Sequence, residues 1–167
     1  AITDHGNMFG AIEFYHTLKE SALKPIIGVG ASVIEGAFSE TGGESGRNRI
    51  NAGQTQLLCQ NREGYHNLGY LVSLSYTEGK VDGVPCVNHQ LLEKYHLGLI
   101  ALSGGMNGEI SRHFLAGRPD DARRIAMWYR DVFVDRYYIE LQNTGLPEQT
   151  ELNTQLIGLG HELGIPL

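Results

Sequence analysis

Apolar and polar positions along the chain switch repeatedly between a period near two and a period near 3.6, and each switch marks a new element. Met8, Ala11, Ile12, Tyr15, Leu18 and Ala22 recur at three- and four-residue spacing, which predicts a helix with these residues on its apolar face and Glu13, His16 and Lys19 turned outward. Pro25 is expected to stop it. "PIIGVGASVIEG" is β-branched and apolar on both sides, the pattern of a strand covered on both faces. Residues 36–53 carry Gly, Ser and charge without periodicity and read as a long exposed loop. "TQLLCQ" predicts a second strand, and Asn61 is placed to cap a helix that turns Tyr65, Leu68, Val72 and Tyr76 to the core.

"EGKVDGVPCVN" reads as a connector, and a short helix around Leu91 and Leu92 leads from it to the strand "LGLIALS". "GEISRHFLAG" and "DDARRIAMWYRDVF" read as two helices, the second turning Ala122, Ile125, Ala126 and Tyr129 inward. "RYYIELQ" is read as a strand, and Pro147 opens a last helix lined by Leu152, Leu156, Leu159 and Leu163. Strands alternating with helices predict an α/β fold, a barrel or an open sheet, with parallel pairing through right-handed crossovers. Either architecture gathers function at the carboxyl ends of strands, where "TDHG", "GVGAS", "LSGGMNG" and "LQNTG" are all expected.

Composition narrows the classes. A chain of 167 residues that is 41% hydrophobic suits one globular domain. Its formal charge of -6 argues against this piece gripping a nucleic-acid backbone by itself, since phosphate neutralisation needs clustered Lys and Arg. Cys59 and Cys86 stand apart with no CxxC, which fits core thiols in a reducing cytoplasm. No run reaches the roughly 18 to 20 apolar residues that cross a bilayer, so no membrane partner is expected. Ala1–Thr3 reads as the end of a strand and "GIPL" as the start of another, so the chain is expected to be an internal piece of something longer.

Asp4 and His5 have the chemistry for a divalent cation: His5 offers an imidazole nitrogen, and Asp4 can coordinate or orient that ring. The competing reading is that Asp4 caps the helix and His5 is merely polar. "LSGGMNGEI" has glycines ahead of a helix but lacks the lysine of a phosphate loop, so it reads as a tight strand-to-helix turn. His16, His66, His89, His96, His113 and His161 show no paired metal spacing and are assigned surface or packing roles. No G-x-S-x-G frames Ser32, Ser73, Ser75 or Ser103, Cys59 has no evident base, and Trp128 with Tyr129 reads as helix packing.

"TDHGNMFGAIEFY", "KPIIGVGASV", "LLCQNREGYHNLGYLVSLSY", "LIALSGGMNGEI" and "DRYYIELQNTGLPEQ" resemble, in order and spacing, the PHP (polymerase and histidinol phosphatase) domain of bacterial replicative DNA polymerase III alpha subunits. The resemblance covers residues 1–167. It implies a PHP-type distorted seven-stranded (βα) barrel, incomplete here because the first strand and the C-terminal part lie outside the piece. It further implies that His5 matches one histidine of a metal cluster, with Asp4 beside it. Gly30 stands where metal-binding members carry a glutamate, Gln54 and Thr144 where they carry histidines, and Gly105 where a cysteine is common.

These departures imply a degenerate site without catalytic residues and without a cofactor in this piece, and zinc or manganese at a residual site is the alternative. Magnesium would serve a polymerase core elsewhere in the chain. The full-length protein is expected to be a cytoplasmic DNA-directed DNA polymerase. This piece would act as a scaffold contacting that core, a proofreading exonuclease subunit and other replisome proteins, while DNA is held mainly by other domains. The rival expectation is an active metal-dependent phosphoesterase or exonuclease.

Overall fold

A computed structural model describes residues 1–38 and 52–167. Its centre is a seven-stranded sheet: β1 (Ile2–His5), β2 (Ile27–Ile34), β3 (Gly53–Cys59), β4 (Lys80–Val81), β5 (Val84–Asn88), β6 (Leu99–Leu102) and β7 (Tyr137–Tyr138). Helices α1 (Ala11–Glu20), α2 (Arg62–Thr77), α3 (His89–Tyr95), α4 (Glu109–Leu115), α5 (Pro119–Phe133) and α6 (Pro147–Leu163) are interleaved with the strands. The fold is mixed α/β, and among the described residues the sheet does not close on itself, as an incomplete barrel requires.

Pairing is not uniformly parallel. β2 runs parallel to β1 and β5, which share one of its edges, and antiparallel to β3 on the other; β3 is antiparallel to β6, and β6 parallel to β7. The antiparallel steps both come from β3, which runs opposite to the two strands it lies between. Of the 36–53 loop, residues 39–51 lie outside the described residues, and Gly53 already belongs to β3.

One sheet face carries Val29, Ala31, Val33, Leu57, Ala101 and Tyr137 into the core, against Leu68 and Leu71 of α2, Ile125 and Tyr129 of α5, and Leu152 and Leu156 of α6. The inward face of α5 is as its spacing predicts. So is most of that of α6, where Leu152, Leu156 and Leu159 are buried. Asn61 caps α2, its side chain accepting from Gly64 N at 2.9 Å.

Two helix faces differ from expectation. In α2 the buried positions are Gly64, Leu68, Leu71 and Ser75, while Tyr65 and Tyr76 are exposed. The cause is Gly64, where a Cβ would run into the Gly98 carbonyl; this close approach turns the helix so that its tyrosines face water. In α1 only Ala11 is buried, and Ile12 and Tyr15 lie open. That helix also ends at Glu20, before Pro25, with Ala22 in the left-handed region at φ 56°.

The expected connector 78–88 is instead a hairpin. Asp82 and Gly83 both take positive φ, the turn that Asp-Gly between apolar residues favours, and Val81 pairs Val84. The predicted strand "RYYIELQ" is reduced to Tyr137–Tyr138. Beyond it Ile139 and Glu140 bond to Pro166 and to the Ser103 side chain instead of a neighbouring strand.

The Gly64–Gly98 approach yields a paired prediction on one helix. Gly64→Ala should destabilise the protein by about 1–3 kcal/mol through overpacking. Gly69→Ala, whose Cβ meets nothing within 4 Å, should stabilise it by about 1 kcal/mol through helix propensity. Urea unfolding of both variants checks this, and a stabilised Gly64→Ala would contradict the packing described.

Candidate functional site: the polar rim of the sheet

The sheet face away from the core is polar near the carboxyl end of β1. Register aligns His5 with Gly30, Gly30 with Gln56, Gln56 with Leu102 and Leu102 with Tyr138, so these residues form one row across four junctions. The adjacent row pairs Ser32 with Gln54, and Gln54 Nε2 donates to Ser32 Oγ at 3.0 Å. Strand alternation puts Gln54 and Gln56 on the same face, because they stand two positions apart.

Gly30 is the crowded point of the row. A Cβ there would lie 3.2 Å from Gln56 Oε1, 3.5 Å from Gln56 Nε2 and 3.2 Å from His5 Nδ1. The amide of Gln56 and the ring of His5 therefore close over the space a longer side chain at position 30 would need. Among the described residues Gln54 Oε1 and Gln56 Oε1 are buried without a hydrogen-bond partner, an arrangement that favours added donors such as water or a covering peptide.

The other sequence candidates are dispersed. Asp4 faces opposite to His5, as adjacent strand residues must, and its Oδ2 accepts from Gly10 N at 3.1 Å, holding the start of α1. Gly105 lies in the turn after β6, with φ 56°, where a Cβ would strike the Gln142 side chain. Thr144 donates from both N and Oγ1 to Gln149 Oε1, at 2.7 and 2.8 Å, and so fastens the chain entering α6. His5 is brought to Gly30; Asp4, Gly105 and Thr144 are each engaged elsewhere. Among the described residues no three His, Cys, Asp or Glu side chains converge on a point where one ion could be held.

A second polar cluster sits on the core side of the same rim. Glu109, only 6% exposed, accepts from Tyr129 Oη at 2.5 Å and from His89 Nε2 at 3.1 Å to each oxygen. Tyr129 Oη also bonds Thr55 Oγ1 at 3.0 Å, and the His89 ring stacks on Trp128 at 3.9 Å between centroids. Burial, with the Glu109 carboxylate beside it, pushes the Tyr129 hydroxyl well above the ordinary tyrosine range, so this phenol acts as a donor and not as a base.

Close by, His113 is held below the usual histidine range by burial and by Arg118, and Glu35 below the carboxylate range by its hydrogen bond from Arg124. Sequence assigned His89, Trp128 and Tyr129 to packing and overlooked Glu109 and Gln56. Only the Q-x-Q alternation signalled Gln56, while the Glu109 contacts join residues 20 or more positions apart and leave no local pattern.

Both thiols are free. Burial pushes Cys59 up to about 11 and raises Cys86. Cys86 is buried in the core, and Cys59 is half-buried against it.

Comparison with known proteins places this geometry. The PHP domain family matches residues 1–144. The chain is 43% identical over 170 residues to the DNA polymerase III subunit alpha of Deinococcus radiodurans, covering 99% of this chain and 12% of that protein. It is 40% identical to the DNA polymerase III subunit alpha of Borreliella burgdorferi, with 100% and 14% covered. For that of Thermus aquaticus the identity is 38%, with 99% and 13% covered. The chain thus spans 12% to 14% of the length of these relatives.

The Glu109 cluster predicts a specific cost. Tyr129→Phe removes one donor to a buried carboxylate and the partner of Thr55, and should lower stability by about 1–3 kcal/mol. Urea denaturation measures it, and a change within experimental scatter would contradict the bonding described.

Proposed function

The chain belongs to the PHP domain family, and from that premise we propose that it is the PHP portion of a DNA polymerase III alpha subunit, acting there as a scaffold and not as a hydrolase. The full-length protein on this reading is a cytoplasmic DNA-directed DNA polymerase whose magnesium-dependent chemistry takes place in another domain. The piece buttresses that core and offers a docking face to a separate proofreading exonuclease subunit and other replisome proteins, with DNA bound mainly elsewhere.

The observation carrying this reading is the donor set at the rim. A catalytic zinc site takes about three protein ligands and an open position. Here His5 is the one imidazole in the row, and its neighbours are glycine and carboxamides. Carboxamide oxygens are neutral and weak donors for zinc or manganese, and Gln56 fills the position above Gly30 where a further ligand would have to enter. Asp4 is committed to Gly10. These residues do not fit a zinc or manganese cluster, so no hydrolytic step is derived through one.

The test uses the full-length polymerase, purified without chelator and analysed by elemental mass spectrometry. The expected result is well under one equivalent of zinc or manganese, DNA synthesis that survives His5→Ala, and no phosphodiester hydrolysis that His5→Ala abolishes. Stoichiometric metal together with hydrolysis lost in His5→Ala would instead establish an active phosphoesterase or exonuclease site.

A further inference from the structure

Arg136 clamps together two turns far apart in sequence. Its Nη1 donates to the carbonyls of His96 at 2.8 Å and Leu99 at 2.6 Å, and its Nη2 meets His96 Nδ1 at 3.1 Å. The guanidinium lies over the buried Phe133 ring, 5.9 Å from its centroid, and the His96 ring stands edge-on to the same phenyl. The clamp joins the turn between α5 and β7 to the turn between α3 and β6.

The first of these turns is strained. Val134 has φ 54°, a left-handed conformation that a β-branched residue takes only where its surroundings impose it. Its side chain is 68% exposed, so packing of that side chain does not offset the strain. The second turn carries Gly98, which lies against Gly64 and whose carbonyl accepts from Gln60 N at 2.9 Å. Arg136 therefore secures a strained corner to a close-packed one.

One partner in the clamp can change its charge. A guanidinium only donates, so its bond to His96 Nδ1 needs a lone pair there and places the proton of the neutral ring on Nε2. A second proton removes that acceptor and sets an imidazolium directly against Arg136. Among the described residues the charged groups acting on the ring are Arg136 and, from α3, Glu93; α5 presents Phe133, and α2 contributes the neutral Asn67, which donates to Leu97 O at 2.8 Å. Burial, and then Arg136, outweigh Glu93 and hold His96 below the usual histidine range. We propose that His96 is a proton-operated latch: a proton on Nδ1 expels Arg136, which frees the Val134 corner to relax and loosens the turn that enters β6.

The effect reaches the rim. β7 pairs with β6 over only two residues, Tyr137 and Tyr138, and Tyr138 ends the row that begins at His5. Release of Arg136 therefore loosens that end of the row while β2, paired on both edges, keeps its register. An unfolded histidine takes its proton near about pH 6.5, and folded His96 does so at lower pH. The contribution of the latch is thus complete above that value and is lost as pH falls through the folded one.

Hydrogen exchange of the full-length polypeptide, followed by mass spectrometry at about pH 7.5 and about pH 5.5 and corrected for intrinsic chemical rates, tests this. Segments 95–101 and 133–139 should lose protection together, several-fold, on acidification, while segment 27–34 in β2 keeps its own. His96→Asn offers Arg136 an acceptor oxygen that does not titrate. It should match the wild type at neutral pH and retain protection in acid.

Protection unchanged by pH, or lost in only one of the two segments, would overturn the latch. So would an equal loss in segment 27–34, which would mark general unfolding. His96→Asn unprotected at neutral pH, or as acid-sensitive as the wild type, would also overturn it.

Discussion

Strand β2 holds the molecule together, because its backbone is paired along both edges: β3 on one side, and β1 followed by β5 on the other. An eight-residue strand bonded in this way tolerates little slip, since a one-residue shift would send Val29, Ala31 and Val33 out of the core. The register it enforces also brings His5, Gly30 and Gln56 into one row. Packing demand on one face of β2 therefore dictates what chemistry is possible on the other.

The two faces meet that constraint differently. On the core side a buried carboxylate, Glu109, is tolerable because Tyr129 and His89 both reach it, and removing a partner from such a group costs more than the contact itself contributes. The cluster ties the start of α4 to α5 and to the junction of β5 with α3, and Gly53 of β3 lies directly against Glu109, where a Cβ would not fit. On the open side the polar groups are carboxamides, the Ser32 hydroxyl and a single imidazole, and among the described residues the Gln54 and Gln56 Oε1 atoms are buried without partners. The first arrangement is complete and rigid, and the second has the character of a surface that other groups complete.

Much of this was legible in the sequence wherever period and capping chemistry act locally. The α5 face Ala122, Ile125, Ala126 and Tyr129 and the Asn61 cap follow from spacing alone. The α2 face was misjudged because tyrosine can lie exposed as readily as buried, while the deciding contact, Gly64 against Gly98, joins segments that sequence spacing does not relate. The hairpin at Asp82–Gly83 carried its signal openly, in Asp-Gly between apolar residues; Pro85 lies near the start of β5, opposite Lys80 of the short β4. At the rim, the place of His5 beside Gly30 follows from the β1–β2 register, whereas the closure of Gln56 over Gly30 depends on the antiparallel β3, which the expectation of uniform parallel pairing excluded.

The central claim, that the rim is filled by protein where a metal cluster would need room, is tested most directly by crystallography of the full-length protein soaked in zinc or manganese, with anomalous scattering recorded at the metal edge. The account predicts no anomalous peak within bonding reach of His5 and the Gln56 amide lying over Gly30. A peak coordinated by His5, with Gln56 swung aside and further donors drawn in, would contradict it.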